Sequence, residues 1–539
     1  MTERLNERRE EQAQVELGTT GVTPAVARAL VGAFLATILA VPLLQSLSAP
    51  PPFSNLVAEL PTPCTLERFE RDLEDASVVG QKLQPHWQAL AIEALGLGNE
   101  QVYPGRSGWL FHRPGVDYVA GRGFLDPNLL HARSLGGDSC DSAPHPDPRV
   151  AIVDFARELR ERDIELVVLP TPVKAVVAPD RFVRGAAAPH QNPSWPEFAA
   201  ALEADGVAVF DPTALLGPGD FLATDTHWRP EAAERVAAAL ATDLESSGRL
   251  RPRDGSAFER TREFAANRGD LRSMLDLPAG SALYPAERVE IAPVRRRDGT
   301  PLGAGAEVLL LGDSFSNIYS SREAFAQTTP DGEQLDWGEA AGLAEQLAFE
   351  LGRPVDRIVR NAGGAYATRV ALAAEIAREA SAGRDRLAGV KVVVYQFAMR
   401  ELAQGDWRPV TLGAAPEFSD APSPEVLAGP SARRITGTLR ARGTLPRPGT
   451  VPYPEALVAL HLDDVDGSGD IPAVVVYVWG MREHTWTDAA RWPIGTRLTF
   501  DVRSWEDAQA ESRLETVSRG ELDDLELLAL PAYFGEVVR

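Results

Sequence analysis

A parallel α/β sheet flanked by helices is the fold this sequence predicts, and three observations predict it. Between residues 148 and 397, helical and strand-like periods alternate, the pattern that produces crossover connections and parallel pairing. The strand-like pieces at 164–169, 308–311 and 390–397 are nearly all apolar, as strands covered on both faces must be. One of them, Val308-Leu309-Leu310-Leu311, runs into Gly312-Asp313-Ser314-Phe315. A hydroxyl is thereby delivered to the sheet edge where ligands of open α/β folds bind.

Each element has its own justification. Residues 29–47 run without a charge, about the length that spans a hydrocarbon core. With Arg28 before them and Pro50-Pro51-Pro52 after them, they predict an uncleaved transmembrane anchor at 25–47. Residues 1–24 would be a cytoplasmic tail, and the bulk of the chain would lie outside the cytoplasm. Ser46-Leu47-Ser48-Ala49 leaves a cleaved signal peptide as the alternative. The main domain is expected at 60–408, with helices at 64–97, 150–162, 194–204, 230–244, 340–351 and 368–379 and further strands at 207–210 and 357–359. The helix at 230–244 carries its apolar stripe on Ala233, Val236, Ala237, Leu240 and Leu244. A long irregular region precedes 308.

Residues 409–430 are rich in Pro, Ala, Ser and Gly and read as a linker. From 431 to 539 short strands at 434–439, 456–462, 473–479 and 496–502 predict a small β-rich domain, with an OB-like barrel as the first choice. Trp479, Trp486 and Trp492 in it suit either sugar stacking or core packing. The acidic run 463–470 hints at calcium but lacks the Glu that closes an EF-hand loop, so a solvated turn is the better reading.

Composition excludes several classes. The chain of 539 residues exceeds what one core serves, and 54 basic against 77 acidic residues give −23, the wrong sign for nucleic acid. There is no Walker loop, no Gly-x-Gly-x-x-Gly after a strand and no paired-Cys zinc motif, so neither cofactor nor metal is expected. The two cysteines, Cys64 and Cys140, either pair in an oxidising compartment or remain thiols.

A second polar feature matches Ser314. Asp225-Thr226-His227-Trp228 places a carboxylate two residues from one of only 8 histidines. In an extended loop both side chains point the same way. Asp225 can then hold one ring nitrogen of His227 while the other faces a serine, the logic of an activated nucleophile. The bland reading makes Asp225 a cap before the helix that Pro230 starts; the junction at Ser314 tips the balance toward catalysis.

Taken together, these motifs resemble the alginate O-acetyltransferase-like family, the AlgX/AlgJ-like SGNH hydrolase-like domain. Ordinary SGNH hydrolases place Gly-Asp-Ser early and Asp-x-x-His late; here the acid–base block comes first, with one residue between Asp225 and His227. Further stretches similar to the family are Gly105-Arg106-Ser107-Gly108-Trp109-Leu110-Phe111, Pro170-Thr171-Pro172-Val173-Lys174, Gly269-Asp270-Leu271 with Met274-Leu275, and Arg400-Glu401-Leu402. The resemblance covers roughly 95 to 408. It departs at 395–400, where related chains often carry acidic residues and this one has Gln396 and Met399.

The resemblance implies transfer of acetyl onto polysaccharide hydroxyls outside the cytoplasm, in exopolysaccharide biosynthesis. Ser314 would carry the acetyl group, His227 would act as base and Asp225 would orient it. Gly363, Gly364, Asn361 and Tyr366 are the expected oxyanion or substrate donors, and Lys174 is expected to meet polysaccharide or to be a solvated loop residue. The implied location is the inner membrane, with the catalytic domain in the periplasm beside a multi-pass membrane acyltransferase that supplies acetyl. An acetylesterase with the same triad, and a non-catalytic polysaccharide-binding or assembly protein, are the alternatives.

Overall fold

The computed structural model describes residues 23–48, 77–136, 143–253, 257–329, 331–381, 383–413 and 433–446, most of 451–538 and single positions between 63 and 74. The linker falls almost wholly outside these residues, as do Cys64 and Cys140. The chain divides into two compact units, one of residues 1–87 with 138–140 and one holding the remainder.

In the first unit a helix, α1 (Pro24–Ser48), coincides with the expected anchor. Its Leu30, Val31, Phe34, Leu35, Ile38 and Leu39 are exposed. Among the described residues, however, no helix is long and apolar enough to cross a membrane. Arg28 stands just before the uncharged run, and the side chains of 41–43 and 45–48 lie outside the description. The described residues therefore do not show the transmembrane anchor that the sequence predicts.

The second unit contains the predicted sheet. Its strands are β1 (Glu165–Thr171), β2 (Ala208–Val209), β3 (Val308–Gly312), β4 (Val355–Val359) and β5 (Val392–Ala398). All are parallel, in the order β4-β3-β5-β1-β2. Every residue of β3 and β5 is buried, which explains their unbroken apolar character. Helix α2 (Pro148–Arg160) starts on an Asp147 cap that accepts from Arg149 N and buries Ala151, Ile152, Phe155, Ala156 and Leu159, the stripe that packs on β1. Helix α3 (Trp195–Ala204) packs beside α2. Helix α4 (Pro230–Ser246) buries the whole predicted stripe and packs on α6 (Leu343–Leu351), which follows the short α5 (Ser314–Asn317). Helix α7 (Gly364–Ser381) covers β3, β4 and β5.

The region expected to be irregular holds two antiparallel pairings, Phe258–Arg260 with Val294–Arg296 and Glu263–Asn267 with Glu287–Ile291. Their sequences mix charge with few apolar residues, because only one edge of each meets the core.

The β-rich domain is a closed barrel. Its strands are β6 (Arg433–Arg442), β7 (Ala456–Asp466), β8 (Ala473–Arg482), β9 (Thr485–Trp486), β10 (Arg497–Ser504), β11 (Ser518–Gly520) and β12 (Ala532–Val537). Five of them form the ring β6-β7-β8-β12-β10-β6, antiparallel except for the parallel β8–β12 pair. Numbered within the domain, that ring is 1-2-3-5-4, the arrangement of an OB-type barrel. The tryptophans serve packing: Trp479 meets Phe534, Trp492 meets Phe500, and Trp486 donates to Pro446 O. In the acidic run, Asp463 and Asp464 pair with Arg440 and Asp466 pairs with Arg497, so these three carboxylates already have cationic partners.

Candidate active site

Ser314 stands where β3 ends. Gly312 is required there by close approach: a Cβ would lie 2.4 Å from Ser316 Oγ and 3.1 Å from Gln396 Oε1. Asp313 fixes the turn. Its Oδ1 accepts from Phe315 N (2.9 Å) and Gln396 Nε2 (2.9 Å), and its Oδ2 accepts from Ala398 N (2.8 Å). Gln396 in turn accepts from Asp313 N (2.9 Å) and Ser316 Oγ (2.7 Å) and donates to Thr171 (3.0 Å). The departure from an acidic residue at 396 thus leaves an uncharged amide that both donates and accepts, where a carboxylate could only accept.

The His227 loop is equally constrained. Phe221 and Trp228 form a bridge, and Leu222 N donates to His227 O (3.1 Å). Tyr319 OH donates to Trp228 O (2.7 Å), binding this loop to the chain that leaves Ser314. The outcome is a buried relay: His227 Nε2 is 2.7 Å from Ser314 Oγ and His227 Nδ1 is 2.6 Å from Asp225 Oδ1. With Nδ1 facing a carboxylate it carries the proton, which leaves Nε2 to accept from the serine hydroxyl.

Asp225 has four donors in all, since His227 N (3.0 Å) shares Oδ1 while Asp270 N (3.0 Å) and Trp337 Nε1 (3.2 Å) reach Oδ2. Burial opposes its charge, but adjacent His227 and these hydrogen bonds hold the carboxyl below its usual range. Burial likewise pulls His227 down, and the Asp225 charge and hydrogen bond overcome it, raising the imidazole above its ordinary 6.5.

Asp270 had no assigned role in the sequence, although its Gly269-Asp270-Leu271 motif stood out. It accepts from Thr226 N at 2.7 Å and lies 3.7 Å from His227 Nδ1. Burial, with the Asp225 charge added, lifts its carboxyl to about 6. Asp225, His227 and Asp270 offer donor atoms within 4.8 Å of one another, a spacing that could suit a metal. The four hydrogen bonds already on Asp225, and a His227 ring turned with Nε2 toward Ser314, fit a proton relay instead.

Gly269 lets this second loop close in. Its φ is +86°, and a Cβ would stand 2.4 Å from Thr224 O and 2.9 Å from Asp225 N. Gly269→Ala is expected to cost about 2–3 kcal/mol and to lower activity by displacing Asp225, read by denaturant unfolding beside a rate assay. Unchanged stability would remove the loop from the account of the site.

The family described as SGNH hydrolase-like domain, acetyltransferase AlgX, matches residues 102–399, more than half of the chain. The chain belongs to that family. Among its relatives is the probable alginate O-acetylase AlgJ of Pseudomonas aeruginosa, 26% identical over 275 residues that cover 49% of this chain and 64% of the relative. The AlgJ protein of Azotobacter vinelandii is 27% identical over 228 residues, covering 40% and 53%. The chain thus spans less than two thirds of the length of these curated relatives. Among solved structures, the O-acetyltransferase domain of Pseudomonas putida AlgJ is similar with a TM-score of 0.40 and 21% identity, over 56% of this chain and 92% of that one. Pseudomonas aeruginosa AlgX gives 0.37 and 14%, over 64% and 72%.

This AlgX/AlgJ-like domain distributes the expected donors unevenly. Asn361 is buried, accepts from Asn317 Nδ2 (3.2 Å) through its Oδ1, and lines a pocket with Tyr453; its own amide nitrogen is thereby left to donate. Gly364 begins α7 with φ +56° and sits against Glu401, whose Oε2 would be 2.5 Å from a Cβ. The Gly363–Gly364 turn accordingly fits the chain around Glu401. The Tyr366 ring lies beneath the Arg408 and Arg369 guanidinium groups, at 4.7 and 5.8 Å.

Lys174 departs most from expectation. It is 4% exposed and donates to Leu110 O (2.9 Å) and Ala223 O (3.2 Å), and burial brings its ammonium down to about 8. It ties the Asp225 loop to the strand Leu110–His112 and is buried away from solvent. A two-residue lead from β1 into a wholly buried helical turn, Lys174–Val177, accounts for the difference.

Proposed function

We propose that this chain is an O-acetyltransferase that acetylates polysaccharide hydroxyls through an acetyl-Ser314 intermediate. The observation that carries the reading is the relay Asp225–His227–Ser314, with both links between 2.6 and 2.7 Å. Ser314 Oγ attacks the carbonyl carbon of an acetyl ester while His227 Nε2 takes its proton. The carbonyl electrons move onto oxygen and return as the ester bond to the donor breaks, and His227 protonates the leaving oxygen. An acceptor hydroxyl then gives its proton to His227 and attacks the acetyl-serine. Collapse releases the acetylated glycan, and the proton returns to Ser314. Asp225 holds the tautomer throughout and stabilises the imidazolium. The Ser314 amide and the Asn361 side chain are the candidate oxyanion donors within the catalytic domain.

The names of the AlgJ relatives support an acetylated polysaccharide as the product. A periplasmic position, with a multi-pass membrane acyltransferase as the acetyl source, belongs to the same proposal and would be checked by protease accessibility in intact cells. The chemistry is tested with a small activated acetyl ester and a panel of glycans, scoring transferred acetyl against free acetate. Transfer above the water reaction, with acetyl trapped on Ser314, is the expected result. Acetate alone, whatever glycan is present, would make the protein an esterase; absence of both reactions would make it a binding protein.

A further inference from the structure

The barrel does more than follow the catalytic domain in the chain. Barrels of this connectivity engage ligands through the loop between their first and second strands and the loop between their fourth and fifth. Here those loops span residues 443–455 and 505–531, and described residues of both meet the catalytic domain. Tyr453 and Pro454 from the first loop, and Val517 and Ser518 from the second, line one pocket with Asn361, Glu323 and Ala324 of the catalytic domain. Barrel side chains Leu457, Ala459, Tyr477, Trp505 and Phe534 belong to the same buried cluster as Val308 to Leu311 of β3. A loosely tethered module would not share a core in this way.

Tyr453 reaches farthest. It is 6% exposed, and its ring meets Phe325 edge-on at 5.7 Å, while Phe325 in turn meets the His227 ring at 6.0 Å. Its hydroxyl lies beside the Ser314 side chain, close enough to act on the phenol's ionisation. Burial holds the phenol well above its ordinary 10, so it keeps its proton at any working pH and is available as a donor. Ser314 Oγ therefore has His227 Nε2 at 2.7 Å and the phenol as a further polar neighbour. No part of the family match at 102–399 contains this residue.

We infer that Tyr453 is a catalytic residue, an oxyanion donor that the barrel supplies to the active site. The inference rests on the acyl-transfer reading above. When Ser314 Oγ bonds to the acetyl carbon, its own proton goes to His227 and the negative charge settles on the neighbouring carbonyl oxygen. A donor already beside the Ser314 side chain needs only a small shift to reach that oxygen. Tyr453 keeps its O–H bond throughout: it donates a hydrogen bond as charge develops and relaxes as the carbonyl re-forms. The catalytic domain then supplies nucleophile, base and two donors, and the barrel supplies a third donor and one wall of the acceptor pocket.

The experiment uses the full chain and hydrolysis of 4-nitrophenyl acetate, which requires no knowledge of the glycan. Tyr453→Phe keeps the ring on Phe325 and removes only the hydroxyl. Its kcat is expected to fall about 10²–10³-fold with KM little changed, the cost of one oxyanion donor. A fluorinated tyrosine at 453, which keeps the donor, should restore kcat to within about tenfold of wild type. If Ser314→Ala is inactive while Tyr453→Phe keeps full kcat, or loses only through KM, the inference fails and the serine mechanism stands. If Ser314→Ala retains activity, the mechanism itself fails. Should the phenylalanine variant unfold, the fluorotyrosine chain still decides, because a merely structural tyrosine would give a kcat insensitive to phenol acidity, and that result too would overturn the inference.

Discussion

Ser314→Ala is expected to abolish acetyl transfer, with a loss of up to about 10⁶-fold, and to leave the fold standing. The substitution removes one hydroxyl from a site fixed by other atoms, since Asp313, Gln396 and Ala398 hold the turn without it. Leaving His227 Nε2 without a partner costs about 1–3 kcal/mol, well short of unfolding a domain of this size. His227→Ala should be as damaging, and the double variant hardly worse than either one. Groups that act on a single proton cannot lose their contributions twice. Rates that fall multiplicatively in the double variant would show that the two side chains do not work together.

Asp225→Asn has the next largest expected effect, up to about 10⁴-fold in kcat, and it carries a signature in pH. The base form of His227 is the neutral one, so a pKa raised above 6.5 places the acid limb of kcat/KM above pH 6.5. In the variant the raising influence of the Asp225 charge disappears while burial, which lowers the pKa, remains. The acid limb should then move to lower pH even as the plateau falls. Asp270, 3.7 Å from Nδ1, also raises the imidazole, and it should ionise more readily once its neighbour is neutral. Adding Asp270→Asn should therefore deepen the loss. An acid limb that stays in place in Asp225→Asn would exclude His227 as the titrating base.

The sheet was legible because its strands are buried on both faces and its helices on one, and such burial leaves a periodic mark. Ser314, His227 and Asp225 were legible for another reason: sharp turns and short spacings restrict which residues can stand there. Residues acting across long separations left no comparable trace. Gln396 looks like a departure from the family until its amide is seen to bridge Asp313, Ser316 and Thr171. Asp270 sat in a recognisable motif, but nothing local says that its backbone N–H caps Asp225. Lys174 misled because a lysine after a strand usually reaches water, and here two carbonyls hold it inside. Strand β12 escaped notice since Gly535 interrupts its pattern; that glycine admits Val476, whose Cγ1 would be 2.6 Å from a Cβ.

That same strand sets an order of events during synthesis. β12 is hydrogen-bonded to both β8 and β10, so the barrel ring stays open until residues 532–537 have left the ribosome. The relay of Asp225, His227 and Ser314 is encoded far upstream and can assemble before then, as amino-terminal domains do during translation. Tyr453 is presented by a loop whose following strand, β7, is part of the unclosed ring. A nascent chain thus holds an assembled nucleophile for some time before the wall over it is fixed. A ribosome stalled short of β12 would carry a relay without its cover.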